Sequence, residues 1–188
     1  IPLDENGRLT PENVEKSITK NTKIIAIAQV TNVLGYKVDI KAITKIAHEH
    51  NILVIVDGAQ SVPHMKIDVK DLDIDFLSFS GHKMCGPTGV GVIYGKYHLL
   101  EMMDPLMSGG GMNAKFDMCG DVKYVNPPAK FEAGTLNIEG ILGLKAAVDY
   151  LLNIGFENIE EYEHNLRQYA ISQLETVPNI VISSQYLK

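Results

Sequence analysis

A lysine stands at the mouth of an apolar strand in the run Phe76-Leu77-Ser78-Phe79-Ser80-Gly81-His82-Lys83, ahead of the turn-rich Gly86-Pro87-Thr88-Gly89. Placing an ammonium there is costly unless it finds a special use. Capturing an aldehyde cofactor as a Schiff base is one, because protein surroundings can make an amine nucleophilic. About twenty-six residues upstream, Ile52-Leu53-Val54-Ile55-Val56 ends in Asp57-Gly58-Ala59-Gln60, a separation that suits an α/β crossover. An acid closing one strand and a lysine closing a later one point to pyridoxal 5′-phosphate (PLP) held between them.

Each of these residues also has a plainer role. Asp57 before Gly58 is a common turn or capping pair, but Gln60 beside it and Lys83 in frame favour the cofactor. His82 competes with the structural hydrogen bond that most histidines make. His48, His50 and His98 read as helix-surface residues and His64 as a loop residue, so no chemistry is assigned to them. Cys85 lies close to Lys83, yet a residue fixed so near the amine has little freedom to act as a mobile nucleophile. A small buried residue is its expected fate. Cys119 sits in an irregular stretch and is given no role. Gly109-Gly110-Gly111 lacks the strand and helix that a phosphate loop needs, and reads as a backbone bend near a ligand or partner. Glu157, Glu160, Glu161 and Glu163 form a solvated helix face.

The elements that would position these groups alternate. Thr10-Pro11 caps a helix to about Thr19. Ile24 to Ala28 is a continuous apolar run, which predicts a strand buried on both faces. Asp39 caps a second helix with apolar Ile40, Ile43, Ile46 and Ala47, closed by Asn51. Strands at 52–56, 76–79 and 90–94 follow. The pattern predicts an α/β fold, a three-layer, mainly parallel sheet with flanking helices. In such sheets ligands gather at the carboxyl ends of strands, where Asn32, Asp57, Ser80, His82 and Lys83 all fall. A long irregular stretch runs from 108 to 135. Beyond it, 138–152 carries Leu142, Ala146, Val148, Leu151 and Leu152, and 158–174 carries Tyr162, Leu166, Tyr169 and Leu174, both as helices. Asn179 to Ile182 is expected to begin a strand of a second domain.

Composition narrows the class. The 188 residues suit one domain with a sizeable core, at 45% hydrophobic and 21% charged. A net charge of −6 without a Lys/Arg stripe argues against nucleic acid. No run is long enough to span a membrane. Two cysteines are too few for a disulfide framework and lack metal-ligand spacing, so no metal is expected. That composition favours a reducing compartment, cytoplasmic or an organelle matrix. A start at Ile1 rather than Met reads as cut or processed.

Six phrases in order carry a resemblance: Asn32-Val33-Leu34-Gly35, Val56-Asp57-Gly58-Ala59-Gln60, Phe79-Ser80-Gly81-His82-Lys83, Gly86-Pro87-Thr88-Gly89-Val90-Gly91, Gly109-Gly110-Gly111 and Phe131-Glu132-Ala133-Gly134-Thr135. Together they resemble the class V aminotransferase superfamily, most closely the SufS-like (group II) cysteine desulfurases, over nearly the whole chain. The resemblance implies that Lys83 holds PLP and later moves protons at the substrate's α-carbon. Asp57 would pair with the pyridinium nitrogen, Gln60 with the ring hydroxyl, and Ser80 and His82 with the phosphate. Thr135 would reach the phosphate of the neighbouring subunit's cofactor in a homodimer, and Asn32 would lie beside cofactor and substrate. The implied reaction converts L-cysteine to L-alanine and leaves its sulfur as an enzyme persulfide. An acceptor protein of iron–sulfur cluster assembly would receive that sulfur.

Such enzymes also carry an upstream phosphate-binding turn, a group that stacks on the ring, and a downstream domain with the persulfide-forming cysteine and a carboxylate-binding arginine. None of these can be placed here. Residues 1–153 are therefore expected to be the central part of a PLP-binding large domain, with 108–135 near the active site and dimer interface. Residues 154–188 would be a linking helix and the start of a small domain. Alone, such a piece is expected to be inactive. The alternatives on the same residues are a selenocysteine lyase, another class V PLP enzyme, or a non-catalytic α/β scaffold.

Overall fold

Thr10 and Pro11 start the first helix, as the sequence predicts. In a computed structural model that describes residues 1–116 and 122–182, α1 spans Pro11–Ser17 and Thr10 Oγ1 accepts the Asn13 N–H at 3.3 Å. β1 (Ile24–Ala28) follows, then α2 (Ile40–Glu49), where Asp39 Oδ1 accepts the Ala42 N–H at 3.0 Å. Asn51, at φ 56°, turns the chain out of α2 through the left-handed region that asparagine tolerates. β2 (Leu53–Asp57), β3 (Phe76–Ser80) and β4 (Gly91–Gly95) complete a sheet of order β1-β2-β3-β4. The first three strands are parallel and β4 runs antiparallel beside β3. The mixed α/β fold with a mostly parallel sheet and flanking helices is the expected one.

Side-chain alternation builds the core. Ile25, Ile27, Val54, Val56 and Leu77 point to one face of the sheet, where Val14 of α1 and Ile40, Ile43 and Ala47 of α2 join them. Burying each such aliphatic side chain stabilises the fold by about 1.5–3 kcal/mol. The opposite face departs from expectation. Ile24, in the strand expected to be covered on both sides, is 52% exposed, and Ile93 on β4 is 68% exposed. The run is apolar throughout, but among the described residues only one side of it meets another layer.

The second half corrects several boundaries and faces. A short helix, α3 (Tyr97–Met102), follows β4. Within the stretch read as irregular, β5 (Asn113–Phe116) and β6 (Val122–Tyr124) pair antiparallel. α4 (Ile138–Ile154) and α5 (Phe156–Leu174) are separated by Gly155, at φ 86°. α4 buries Leu144, Ala147 and Leu151, the two leucines clustering with Met84, while Leu142 and Leu152 stay exposed at 62% and 61%. α5 buries no residue, and Tyr162, Leu166, Tyr169 and Leu174 all remain open. Among the described residues no strand begins at 179–182.

At the amino end of the sheet, a buried carboxylate ties four segments together. Asp75 accepts the Val54 N–H at 2.8 Å, meets His48 Nε2 at 2.9 Å and Lys96 Nζ at 3.0 Å. Asp73 adds contacts to Lys96 at 2.7 Å and His48 Nδ1 at 3.1 Å. His48 is thus engaged between two carboxylates rather than resting on a helix surface. Burial opposes the charge on Asp75. Hydrogen bonds from His48, the Val54 N–H and Lys96 outweigh it and hold the carboxyl below its usual range. Lys96 is likewise opposed by burial, yet Asp73 and Asp75 hold it above the ordinary lysine value.

Candidate active site

Asp57 is the last residue of β2, in register with Ala28 of β1 and Ser78 of β3. Because side chains alternate along a strand, Asp57, Ser78 and Ser80 share one face. The loop after β1 folds back on itself: the Tyr36 N–H donates to Thr31 Oγ1 at 3.1 Å and the Thr31 N–H to Tyr36 O at 3.0 Å. That closure presents Asn32 at the strand end. Gln60, in the turn after β2, donates from Nε2 to Asn32 Oδ1, so the two loops meet in an amide pair.

Lys83 ends a single tight turn, Gly81–Lys83, directly after β3. The Gly81 carbonyl accepts the Met84 and Gly86 N–H groups, both at 3.0 Å, and its own N–H donates to Val90 O at 2.9 Å. A side chain at Gly81 would place its Cβ 2.8 Å from Val90 Cγ1 and 3.0 Å from Val90 O. Gly58 is crowded in the same way, with Leu77 Cδ1 2.7 Å from where its Cβ would lie. Both glycines let the backbone at a strand end pack closely against a neighbouring segment.

Three of the side chains at these strand ends are left unpaired by the fold. Lys83 and His82 are exposed and Ser80 half-buried, and within the described residues none of their side chains makes a hydrogen bond or ion pair. The Asp57 carboxylate is engaged by the Ala59 N–H at 2.9 Å on Oδ1. Although oppositely charged and at adjacent strand ends, Asp57 and Lys83 do not pair with each other. An amine, a carboxylate, a hydroxyl and an imidazole, all available at the carboxyl edge of a parallel sheet, fit a ligand that carries an aldehyde, a basic ring nitrogen and a phosphate.

Among the described residues no hydrogen bond joins Thr135 to this cluster. It is exposed, flanked by Gly134, whose N–H donates to Gly110 O at 2.8 Å, and by Asn137, whose amide reaches Gly89 O at 3.3 Å. The bend at Gly109 to Gly111 is therefore packed on the Ala133–Gly134 segment. Cys85, expected to be buried, is exposed and takes φ 63° as the turn reverses. Cys119 lies outside the described residues. One pair escaped sequence reasoning altogether: His64 Nδ1 lies 2.6 Å from Glu163 Oε1. No local pattern links residues so far apart in the chain.

A family model described as "Aminotransferase class-V" matches residues 1–187. The chain belongs to that family. It is 49% identical over 184 residues to a "Probable cysteine desulfurase" of Halalkalibacterium halodurans, covering 97% of this chain and 45% of that protein. A "Cysteine desulfurase" of Shigella sonnei is 45% identical over 182 residues, with 97% of this chain and 45% of that protein covered. Among solved structures, the cysteine desulfurase CsdA of Escherichia coli superposes with a TM-score of 0.90 at 38% identity, covering 94% of this chain and 44% of that one. The apo cysteine desulfurase of Thermococcus onnurineus gives 0.88 at 39%, with the same coverage. This class-V chain thus spans a little under half the length of the relatives it matches.

Among the described residues no helix is long and apolar enough to cross a membrane, and no cluster of His, Cys, Asp and Glu could hold a metal ion.

Proposed function

We propose that this chain is the cofactor-holding centre of a PLP-dependent cysteine desulfurase. The observation that carries the reading is the convergence of Asp57 with the unpaired Ser80, His82 and Lys83 on adjacent strand ends, beside the Asn32–Gln60 amide pair. PLP, when bound, supplies an electron sink for charge developing at the substrate's α-carbon. Lys83 Nζ would hold the cofactor through its aldehyde carbon and would carry a proton to and from the substrate's α-carbon. The Asp57 carboxylate accepts the ring N–H and keeps that nitrogen protonated. Gln60 Nε2 turns its donor towards the ring oxygen, with Asn32 orienting it. Ser80 Oγ and the His82 imidazole donate to the phosphate. Thr135, apart from the cluster in its own chain, serves the phosphate of a second subunit in a homodimer.

The reaction moves the sulfur of L-cysteine to an enzyme thiol. The substrate's C–S bond breaks, an S–S bond forms as persulfide, and L-alanine leaves. Neither Cys85, locked in the turn beside Lys83, nor Cys119 is assigned that thiol. The persulfide sulfur passes to an acceptor protein of iron–sulfur assembly. Residues 1–153 belong to the large PLP-binding domain, with 108–135 at the active site and dimer interface. Residues 154–188 lead into a small C-terminal domain. A soluble compartment, cytoplasmic or an organelle matrix, accords with this reading.

The full-length protein should be yellow, release alanine from cysteine, and retain pyridoxyl on the Lys83 peptide after borohydride reduction. Lys83→Ala should abolish the covalent label. A colourless protein with Lys83 intact, taking up no added PLP, would refute the proposal.

A further inference from the structure

The turn that carries Gln60 is held at its far end by a helix from the other half of the chain. Residues 58–65 wind through successive tight turns. The Ser61 and Val62 N–H groups donate to Gly58 O at 3.1 and 3.0 Å, and those of His64 and Met65 to Ser61 O at 3.0 Å. This winding puts Gln60 and His64 on the same side of the segment. Both line a cavity of about 320 Å³ together with Asn32 and Lys37. Glu163 of α5 also lines that cavity, with Oε1 2.6 Å from His64 Nδ1. α5 buries no residue fully; Phe156 and Ile159 at its start pack on the Met84, Leu144 and Leu151 cluster, and the Glu163 contact holds the helix one turn beyond Ile159.

We propose that His64 and Glu163 are positioning residues whose pair clamps α5 against the 58–65 turn and so holds the Gln60 amide on Asn32, facing the PLP ring. The inference rests on the PLP reading above and extends it to two residues that do not touch the cofactor. Both side chains are 45% exposed, and an exposed pair adds little to folding. Breaking it should therefore loosen the turn without unfolding the protein. Gln60 would then spend less time in the orientation that meets the ring oxygen.

The test titrates the full-length protein with PLP and reads bound cofactor from its visible absorbance. His64→Ala and Glu163→Gln should each raise the Kd about three- to tenfold. Amide exchange across residues 58–65 should quicken while the thermal midpoint stays at the wild-type value. In a Gln60→Ala background the same substitutions should add nothing, because their effect passes through Gln60. His64→Gln, which can still donate to Glu163, should recover most of the affinity. An unchanged Kd in both variants overturns the inference. So does a loss that persists at full size when Gln60 is already absent. A wild-type protein that takes up no PLP overturns the underlying reading and this inference together.

Discussion

Gly81→Ala tests how tightly the lysine-bearing turn is built. The new methyl group would sit 2.8 Å from Val90 Cγ1, 3.0 Å from Val90 O and 3.3 Å from Pro87 O. Carbon atoms prefer separations of about 3.5–4.0 Å. Val90 cannot simply rotate away, because a β-branched side chain has few open rotamers. Its carbonyl also accepts the Gly81 N–H at 2.9 Å, so moving it weakens that bond. Overpacking of this kind costs about 1–3 kcal/mol, and a weakened hydrogen bond about 1 kcal/mol more. We therefore expect a loss of about 2–4 kcal/mol, a large share of the roughly 5–15 kcal/mol that holds a typical domain folded. Urea denaturation should show a lower midpoint with the slope preserved. Because Ser80, His82 and Lys83 flank the substituted residue, PLP uptake by the full-length protein should weaken as well. A variant that matches the wild type within about 0.5 kcal/mol and binds PLP equally well would refute this account of the turn.

Asp75→Asn removes the charge from the buried carboxylate and should cost about 2 kcal/mol near neutral pH. The pH dependence has a definite sign. Asp75 is lowered from 3.8, so its contribution is complete above that value and is lost as pH falls through the folded pKa. Lys96 is raised from 10.5, so its share is complete below that value and is lost as pH rises through the folded pKa. The stability gap between wild type and Asp75→Asn, measured by denaturant titration, should thus narrow in acid. A gap that stays constant well below pH 3.8 would contradict the ion-pair account. Asp57→Asn should still take up PLP, because Lys83, Ser80 and His82 remain, but should slow alanine release about a hundredfold. An unaltered rate would remove Asp57 from the ring-nitrogen role.

Much of the site's scaffold could be read from local residues. Thr10-Pro11 and Asp39 cap the helices they precede. The strands holding Asp57 and Ser80 lie within a residue or two of the expected bounds. What escaped has physical causes. α3 is six residues long and lacks a side-chain cap, so reading His98 as a helix-surface residue came with no bounds for its helix. β5 and β6 pair within a glycine- and proline-rich stretch whose composition reads as loop. α4 has apolar residues on several sides, from Ile141 and Leu142 to Leu151 and Leu152, so periodicity alone could not say that Leu144 and Ala147 face inward. Cys85 is exposed because the reversal after Lys83 turns it outward, which a preference for buried cysteine does not foresee.

Residue order alone determined the α/β alternation, the helix starts and the lysine and acid at successive strand ends, because propensity, capping and period-two patterning act over a few neighbours. The tertiary structure decided which face of each helix is buried. Among the described residues it also left β1 open on one side, joined Gln60 to Asn32, seated Asp75 between His48 and Lys96, and brought Glu163 to His64. Those contacts join segments tens of residues apart. Their existence depends on strand register and on how helices settle across the sheet, and no short-range rule encodes either.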